Sequence, residues 1–416
     1  MRHRTSLSCR RSDGVCGPDV TPAATPFLPS AREHQDGVEP VDLSGKQAIE
    51  RKGESMAYPG PTRRAAAQAA LLAWGGMAVP ACLAASGAPS TARILADGGG
   101  ESSGCRDNFV GEAAMVKIAF DDFQSGLIET RETQIFARWA GTGPPVLLLH
   151  GFPQTHLMWR AIAPILARRF SVVCADMRGY GASACPASDS RHNPYAKRAM
   201  ARDMVELMHS LGHERFAVVG HDRGGRVAYR LALDHPRHCR SLVVLDVLPT
   251  AETWDRADHR FALGYWPWTF FAQEGPLPER ALCTLAREVV DAALDGWGSP
   301  AETFASDIRA AYTETLRDPA HAHAICEEYR AAASRDREHD LLDLKEHRRI
   351  QCPLSVFWSA RGPLAEWYEA DGGPLSIWRR WGTEVRGRSF NGGHFFPEEL
   401  PAETADELMV AIGSGH

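Results

Sequence analysis

The stretch FAVVGHDRGG, residues 216–225, decides the fold of this 416-residue chain. Residues 216–219 are a short apolar run, which predicts a buried strand, and a helix is predicted to begin near Gly225. Between them, the glycines of GHDRG (residues 220–224) allow a strained strand-to-helix turn. Such a turn pushes its middle side chain, Asp222, into a cavity.

The same alternation of short apolar runs and longer amphipathic segments continues through most of the chain. It predicts a mainly parallel sheet with helices on both faces. Between two of the strands lies a long segment, rich in aromatic residues and helix formers, that predicts an inserted helical cap. The predicted strands are 116–120, 146–149, 171–175, 216–219, 241–245, 353–358 and about 383–386.

These patterns divide the chain into four segments. A first core segment, 115–248, and a second one, 350–416, flank the cap at 249–349. The extension at 1–114 is rich in glycine and proline, which predicts little order. Three interpretations of it stay open: translation from a misassigned start codon, a twin-arginine-like export signal beginning near Met56, and a regulatory tail.

The composition limits the partners and the compartment. The chain has 46 Lys and Arg against 52 Asp and Glu, a net charge of −6, so it has no excess positive charge with which to bind nucleic acid. Its ten cysteines form no CxxC pair, and no histidines stand at zinc-binding spacing. The cysteines are therefore predicted to be reduced and mostly buried, in a cytoplasmic protein unless the extension exports it. No membrane association is predicted for the catalytic part.

An aspartate at the turn predicts displacement at a saturated carbon. A carboxylate that attacked a carbonyl would give a mixed anhydride, whereas attack on a saturated carbon gives an alkyl-enzyme ester. Asp222 must stay ionised, and the N–H groups of the turn, the helix N-terminus and nearby arginines would all favour this. An incidental helix cap is the alternative interpretation of this residue.

Hydrolysis of such an ester needs a base and a carboxylate that orients the base. His394 follows two glycines on the loop after the last predicted strand and is the predicted base. Asp246 follows strand 241–245 and is the predicted partner, with Glu366 as a second candidate. The backbone N–H of Phe152, just after another strand, is predicted to bind developing negative charge.

Seven segments together carry a resemblance to a known family: HGFPQTHLMW, DMRGYGAS, GHDRGGRVAYRLALDHP, LDVLPT, YWPWTFFAQEGPLPE, CEEYRAAAS and NGGHFF. On these segments, residues 115–416 resemble the fluoroacetate and haloacetate dehalogenases of the α/β-hydrolase fold, whereas 1–114 do not. The resemblance implies the same three residues as the chemical argument: Asp222 as nucleophile, His394 as base and Asp246 as its acid partner.

The resemblance also implies the residues that bind the substrate. Arg223 and Arg226 match arginines that grip the substrate carboxylate, so a short anionic substrate is expected; structural salt bridges are the alternative. Trp268 and Tyr329 match halide-binding residues, although Trp268 could serve packing alone. Pro267 stands where the family has a histidine that donates to the halide. Loss of one such donor costs on the order of 10²–10³ in rate, so chloroacetate and bromoacetate are predicted to react faster than fluoroacetate.

Two other functions stay open at this point. An epoxide hydrolase also uses an aspartate nucleophile, and it needs two tyrosine acids, for which Tyr265, Tyr312 and Tyr329 are available. A non-catalytic binding protein of the same fold is the other alternative. The proposed chemistry requires neither a metal nor an organic cofactor. The only expected partner is a small anionic substrate, and a homodimer is left open.

Overall fold

The computed structural model of this protein describes Phe120 and residues 122–413. The predicted extension, 1–114, and the predicted strand 116–120 therefore lie outside the described residues, apart from Phe120, which is in a turn. Within the described part, no helix combines the length and the apolar character needed to cross a membrane. The six described cysteines are free and four of them are buried, which confirms the prediction for these six.

The core of the described region is one sheet of eight strands. In chain order they are β1 (Gln124–Glu129), β2 (Gln134–Ala140), β3 (Pro145–Leu149), β4 (Ser171–Ala175), β5 (Phe216–His221), β6 (Cys239–Leu245), β7 (Leu354–Ser359) and β8 (Val385–Phe390). Their spatial order is β1-β2-β4-β3-β5-β6-β7-β8. Strands β1 and β2 are antiparallel to their neighbours, and the other six run parallel. The predicted mainly parallel sheet is confirmed.

The sequence predicts the central strands better than the edges. Strands β3 to β7 agree with their predicted bounds to within two residues at either end. They lie between layers of helices, so almost every residue is apolar and buried. The prediction at about 383–386 overlaps only the start of β8, because alternate residues of this edge strand are exposed. Strands β1 and β2 are absent from the prediction, since β1 is largely exposed and has no apolar run.

Fifteen α-helices accompany the sheet within the described residues. Those of the two core segments are α1 (Ala163–Leu166), α2 (Lys197–Ser210), α3 (Asp222–Asp234), α12 (Pro363–Trp367), α13 (Gly373–Trp378), α14 (Phe396–Glu399) and α15 (Pro401–Gly413). The other eight are α4 (Thr250–Asp255), α5 (His259–Gly264), α6 (Trp266–Phe271), α7 (Leu277–Thr284), α8 (Ala286–Gly296), α9 (Ser306–Arg317), α10 (Pro319–Ala333) and α11 (Arg335–Lys345). These eight occupy residues 250–345 between β6 and β7, and this segment is called the helical insertion below.

The topology brings several chemically active residues to one edge of the sheet. Asp222 and Asp246 directly follow β5 and β6, Ser359 ends β7, and His394 follows β8. Because the carboxyl ends of parallel strands meet at the same edge, residues far apart in sequence are neighbours there. The helical insertion begins directly after β6, at that same edge.

Candidate active site

The turn at Asp222 is held in a strained conformation. Strand β5 ends at His221 and α3 begins at Asp222 itself, three residues before the predicted start. Asp222 has a φ of 44°, a left-handed conformation that costs a non-glycine residue on the order of 1–3 kcal/mol. The surrounding backbone is closely packed: a β-carbon on Gly151 would lie 2.7 Å from that of Asp222, and one on Gly220 would lie 2.4 Å from the carbonyl oxygen of Gly224. Glycine is therefore required at both positions.

The two carboxylate oxygens of Asp222 have different environments. Oδ2 accepts a hydrogen bond of 3.1 Å from the backbone N–H of Phe152, whereas Oδ1 accepts none from the described residues. Burial raises the pKa of Asp222, but the positive charges of His394 and Arg223 outweigh burial, so the pKa lies below its ordinary value. The carboxylate is therefore ionised at neutral pH, with one oxygen held and the other unbonded.

His394 is oriented by Asp246, the first of its two candidate partners. The imidazole Nδ1 lies 2.6 Å from Oδ2 of Asp246, and the other carboxylate oxygen accepts the N–H of Ser359 at 2.8 Å. Burial lowers the pKa of His394, but the bond to Asp246 and its charge outweigh burial and raise it above its usual value. Nε2 of His394 is buried and has no partner among the described residues. Glu366, the second candidate, is exposed on α12, and the structure does not bring it to the histidine.

His221 supports the loop that carries the histidine, a role that sequence reasoning missed. Its Nε2 lies 2.9 Å from the carbonyl oxygen of His394, and the two ring centres are 4.6 Å apart. Burial and the neighbouring His394 lower the pKa of His221 to about 3. The ring is therefore neutral and can donate to that carbonyl at any ordinary pH.

The two predicted arginines lie side by side but contact the cavity differently. Arg226 lines the cavity; its Nη1 donates to the carbonyl of Leu248 at 2.7 Å, and its guanidinium lies 4.2 Å from the centre of the Trp268 ring. Arg223 lies behind the aromatic lining, 4.0 Å from the centre of the Tyr329 ring. Each keeps one buried nitrogen without a partner among the described residues, Nη1 of Arg223 and Nε of Arg226.

A buried acid and a buried lysine support Arg223, and sequence reasoning missed both. Glu328 accepts from Nε of Arg223 at 2.8 Å and from the hydroxyl of Tyr180 at 2.7 Å, and it forms an ion pair with Lys197. Burial raises the pKa of Glu328, but the charges of Arg223 and Lys197 outweigh burial and lower it to about 2. The only sequence signal was the pair of glutamates in CEEYR, which does not distinguish a buried acid from an exposed one.

These residues surround one small cavity between the sheet edge and the helical insertion. Its space open to the centre of a water molecule is about 20 Å³, close to the minimum that holds one water. Its lining includes six of the predicted site residues and several that the prediction did not place there: Asp222, Arg226, Asp246, Val247, Leu248, Thr253, Tyr265, Trp268, Trp297, Tyr329, Leu364, Tyr368 and His394. Residues from three chain segments thus meet in a space sized for a very small molecule.

Some predicted positions lie outside this lining. Pro267 is buried in α6, next to Trp268, but does not line the cavity. Tyr312, one of the tyrosines considered for epoxide chemistry, donates its hydroxyl to Glu398 at 3.2 Å and is also absent from the lining. Tyr265 and Tyr329 line the cavity, and neither hydroxyl bonds to another described residue. The described residues also bring together three potential metal ligands, His209, Glu214 and His238. None of them lines the cavity.

Comparisons with known proteins agree with this architecture. A family model described as the alpha/beta hydrolase fold matches residues 144–360. A fluoroacetate dehalogenase from a Burkholderia species is 41% identical over 69% of this chain and 92% of its own. A soluble epoxide hydrolase from a Corynebacterium species is 30% identical over 65% of this chain and 90% of its own. The resemblance inferred from the sequence segments is confirmed.

Solved structures extend the agreement to the fold. A structure from a Nostoc species, provisionally assigned to the alpha/beta hydrolases, is 44% identical with a TM-score of 0.68 and covers 70% of this chain and 98% of that one. A structure from Pseudomonas aeruginosa, provisionally assigned as an epoxide hydrolase, is 40% identical with a TM-score of 0.66, covering 71% and 97%. Both relatives match nearly their whole length to the described region.

Proposed function

Because this chain belongs to the alpha/beta hydrolase fold family, we propose that it hydrolyses the carbon–halogen bond of a short 2-haloacid, with Asp222 as the nucleophile. The observation that carries the proposal is the carboxylate of Asp222, with its unbonded Oδ1, in a very small cavity that also holds Arg226 and His394. Its similarity to a fluoroacetate dehalogenase supports the same substrate class. Since the chain is a hydrolase, the non-catalytic binding protein is set aside.

Arg226, which lines the cavity, would bind the carboxylate of the substrate, and Arg223 would join it once the cavity opens toward its free Nη1. The free nitrogens of Arg223 and Arg226 are buried, and a buried donor without a partner is costly. A substrate carboxylate would supply the missing acceptors and a matching negative charge. The space open to the centre of a water molecule, about 20 Å³, holds about one water, so the cavity must widen for any substrate, and a two-carbon haloacetate requires less widening than a larger acid.

In the first step, Oδ1 of Asp222 attacks the carbon that bears the halogen. The new C–O bond forms as the C–X bond breaks, and the halide leaves with the bonding electron pair. The hydroxyl of Tyr329 and the indole N–H of Trp268 are the proposed donors to the halide. The guanidinium groups near their rings, at 4.0 Å and 4.2 Å, add positive charge beside the leaving anion.

In the second step, water hydrolyses the ester. Nε2 of His394 takes a proton from water, and the resulting hydroxide attacks the ester carbonyl carbon of Asp222. Negative charge then develops on Oδ2, the oxygen that already accepts the N–H of Phe152. Collapse breaks the C–O bond to the substrate, and the leaving alkoxide takes the proton of the imidazolium to give the hydroxyacid. The new carboxyl group of Asp222 then loses its proton to solvent, which regenerates the carboxylate. The hydroxyl of Tyr265, whose ring centre is 6.4 Å from that of His394, would help to hold this water.

Formation of the ester also prepares the base. The negative charge of Asp222 is one of the causes that raise the pKa of His394, and that charge disappears when the ester forms. The pKa of His394 therefore falls at the stage where a neutral imidazole is needed. Substrate attack and base activation are linked through one carboxylate.

An isotope experiment tests the nucleophile. The full-length protein is allowed a single turnover in oxygen-18 water with chloroacetate, and in parallel with fluoroacetate and an aryl epoxide. Mass spectrometry then measures the oxygen-18 content of two species, the hydroxyacid product and the peptide that contains Asp222. We expect the label in Asp222 and unlabelled product, because the oxygen that joins the product comes from the enzyme.

The matched control is Asp222→Asn, which keeps the shape of the side chain but removes the nucleophile. It should give neither halide nor label. If the label appears in the product alone, water attacks the substrate directly and the covalent route is wrong. If only the epoxide labels Asp222, the nucleophile stands but the substrate class does not.

Epoxide hydrolysis is the second candidate. It is favoured by one observation, the two tyrosines Tyr265 and Tyr329 that line the cavity without other described partners, and by the similarity to a soluble epoxide hydrolase. Against it, an uncharged epoxide gains nothing from Arg223 and Arg226, and an aryl group would require the cavity to widen more than a haloacetate does. The parallel reactions above distinguish the two candidates.

A further inference from the structure

We propose that His209, Glu214 and His238 form a binding site for a divalent transition-metal ion such as Zn²⁺, separate from the catalytic cavity. Three different segments supply these residues: His209 lies in the last turn of α2, Glu214 lies on the loop before β5, and His238 directly precedes β6. Imidazole nitrogens and a carboxylate oxygen are a common ligand set for zinc in proteins.

The distances between the ligand atoms fit a metal. Nε2 of His209 lies 3.2 Å from Nδ1 of His238 and 3.2 Å from Oε2 of Glu214. Tetrahedral zinc with bonds of about 2.0–2.1 Å places neighbouring ligand atoms about 3.3 Å apart. Two of the three distances thus match the spacing in a tetrahedral site, and all three atoms lie within 4.8 Å of one another. Water can complete the coordination because the glutamate is largely exposed.

Without an ion, both facing ring nitrogens can be satisfied by hydrogen bonds. Nδ1 of His238 lies 2.8 Å from the carbonyl oxygen of Glu214, and Nε2 of His209 lies 3.2 Å from the carboxylate of Glu214, so each can donate a proton to its acceptor. A metal ion would replace these two protons, because it binds the lone pairs of both nitrogens. Each neutral ring would then carry its proton on its other nitrogen, Nε2 in His238 and Nδ1 in His209.

The position of the site predicts what the ion does. These residues lie at the amino ends of β5 and β6, whereas Asp222 and Asp246 follow the carboxyl ends of the same strands. Strands of this length separate the two edges by about 20 Å. The ion would thus join α2 and the two loops and stabilise the folded chain, without taking part in the reaction.

Metal titration of the untagged, full-length, chelator-treated protein tests this site. Zinc binding is measured by competition with a chromophoric chelator, and Co²⁺ absorption reports the coordination geometry. The wild type should bind one more equivalent than the double variant H209A/H238A. Saturating Zn²⁺ should raise the Tm of the wild type by about 5 °C, and Glu214→Gln should weaken binding by at least about tenfold.

His213→Ala is the matched control, since it removes a histidine from the same loop whose Nε2 bonds to Ser171 instead. It should bind zinc as the wild type does. Circular dichroism and hydrolase activity check that the double variant is folded. If the double variant binds as many equivalents as tightly as the wild type, or if His213→Ala loses the equivalent instead, the site is wrong. Neither outcome bears on the role of Asp222.

Discussion

The sheet edge and the helical insertion contribute to the same cavity in different ways. Asp222 and Asp246 follow neighbouring strands, and each has a positive φ that the surrounding backbone enforces. Trp268 and Tyr329 come from helices of the insertion and are placed by side-chain packing, stacked on Arg226 and Arg223. The groups that would make and break bonds are therefore fixed by backbone geometry, whereas those that would select the substrate are fixed by packing.

This difference suggests where change is tolerated. A substitution at the sheet edge disturbs a backbone conformation that costs energy to build, so its effect should be large. A substitution in the insertion changes the lining but leaves the turn at Asp222 intact, so its effect should be smaller and should depend on the substrate. The ion pair of Arg223 with Glu328 at 2.8 Å joins the two regions.

The largest expected effect belongs to the sheet edge, at Asp246→Asn. Asparagine can still accept the N–H of Ser359, but it cannot balance the charge of the imidazolium. Ester hydrolysis should slow by on the order of 10⁴-fold, and the alkyl-enzyme should accumulate as a mass increase on the intact protein. Glu366→Gln is the matched control and should turn over normally. The reverse result would make Glu366 the partner of His394.

A smaller effect is expected at Arg226→Gln, where the two regions meet. Loss of one charge-assisted hydrogen bond should lower kcat/KM for chloroacetate by about 100-fold. Uncharged chloroacetamide has no carboxylate for Arg226 to bind, so its kcat/KM should fall much less, only by the contribution that Arg226 makes beside the leaving halide. Steady-state kinetics with both substrates makes the comparison. An equal loss for both would mean that Arg226 supports the nucleophile or the fold, and not the substrate carboxylate.

Within the insertion, Pro267→His should change selectivity more than overall activity. A histidine at the start of α6 could add a donor beside Trp268, and fluoride needs that donor most because it is the poorest leaving group. The rate ratio of fluoroacetate to chloroacetate should rise by about tenfold. Pro267→Ala removes the proline without adding a donor and should leave the ratio unchanged. Fast fluoride release by the wild type would contradict the argument.

The smallest expected effect is a shift in pH dependence at His394. Its pKa is raised in the free protein, so the imidazole is protonated below that pKa and becomes an available base above it. Ester hydrolysis should therefore slow as the pH falls. Because the ester lacks the charge of Asp222, the midpoint of this fall should lie below the pKa of His394 in the free protein. Single-turnover rates and an NMR titration provide the two values, and equal values would contradict the linkage.

Much of this protein could be predicted from local sequence. The central strands are continuous apolar runs because both of their faces are covered. The glycines of the turn indicate that Asp222 lies between a strand and a helix. Asp222, Asp246 and His394 could be selected because each comes after the end of a predicted strand. Strands β1 and β2 were not predicted and β8 was predicted only in part, because strands near the edge of the sheet need not be apolar.

Other features had no local signal. Glu328 and Lys197 are charged residues, which sequence reasoning places on the surface, yet they are buried because they compensate each other and Arg223. The size of the cavity depends on how tightly the insertion packs against the sheet edge. His209, Glu214 and His238 stand at no metal-binding spacing in the sequence, and they meet only because β5 and β6 are neighbours in the sheet.

By itself, the sequence determined the parallel sheet, the strained turn and the aspartate at its centre, because apolar periodicity and glycine conformation act over a few residues. Only the tertiary structure decided which carboxylate reaches His394, which tyrosines line the cavity and how Arg223 is compensated. The physical reason is that burial and electrostatic pairing depend on contacts between residues far apart in the sequence, such as Asp246 and His394, which are 148 positions apart. A pattern that spans only a few residues cannot indicate a contact between residues so far apart in the sequence.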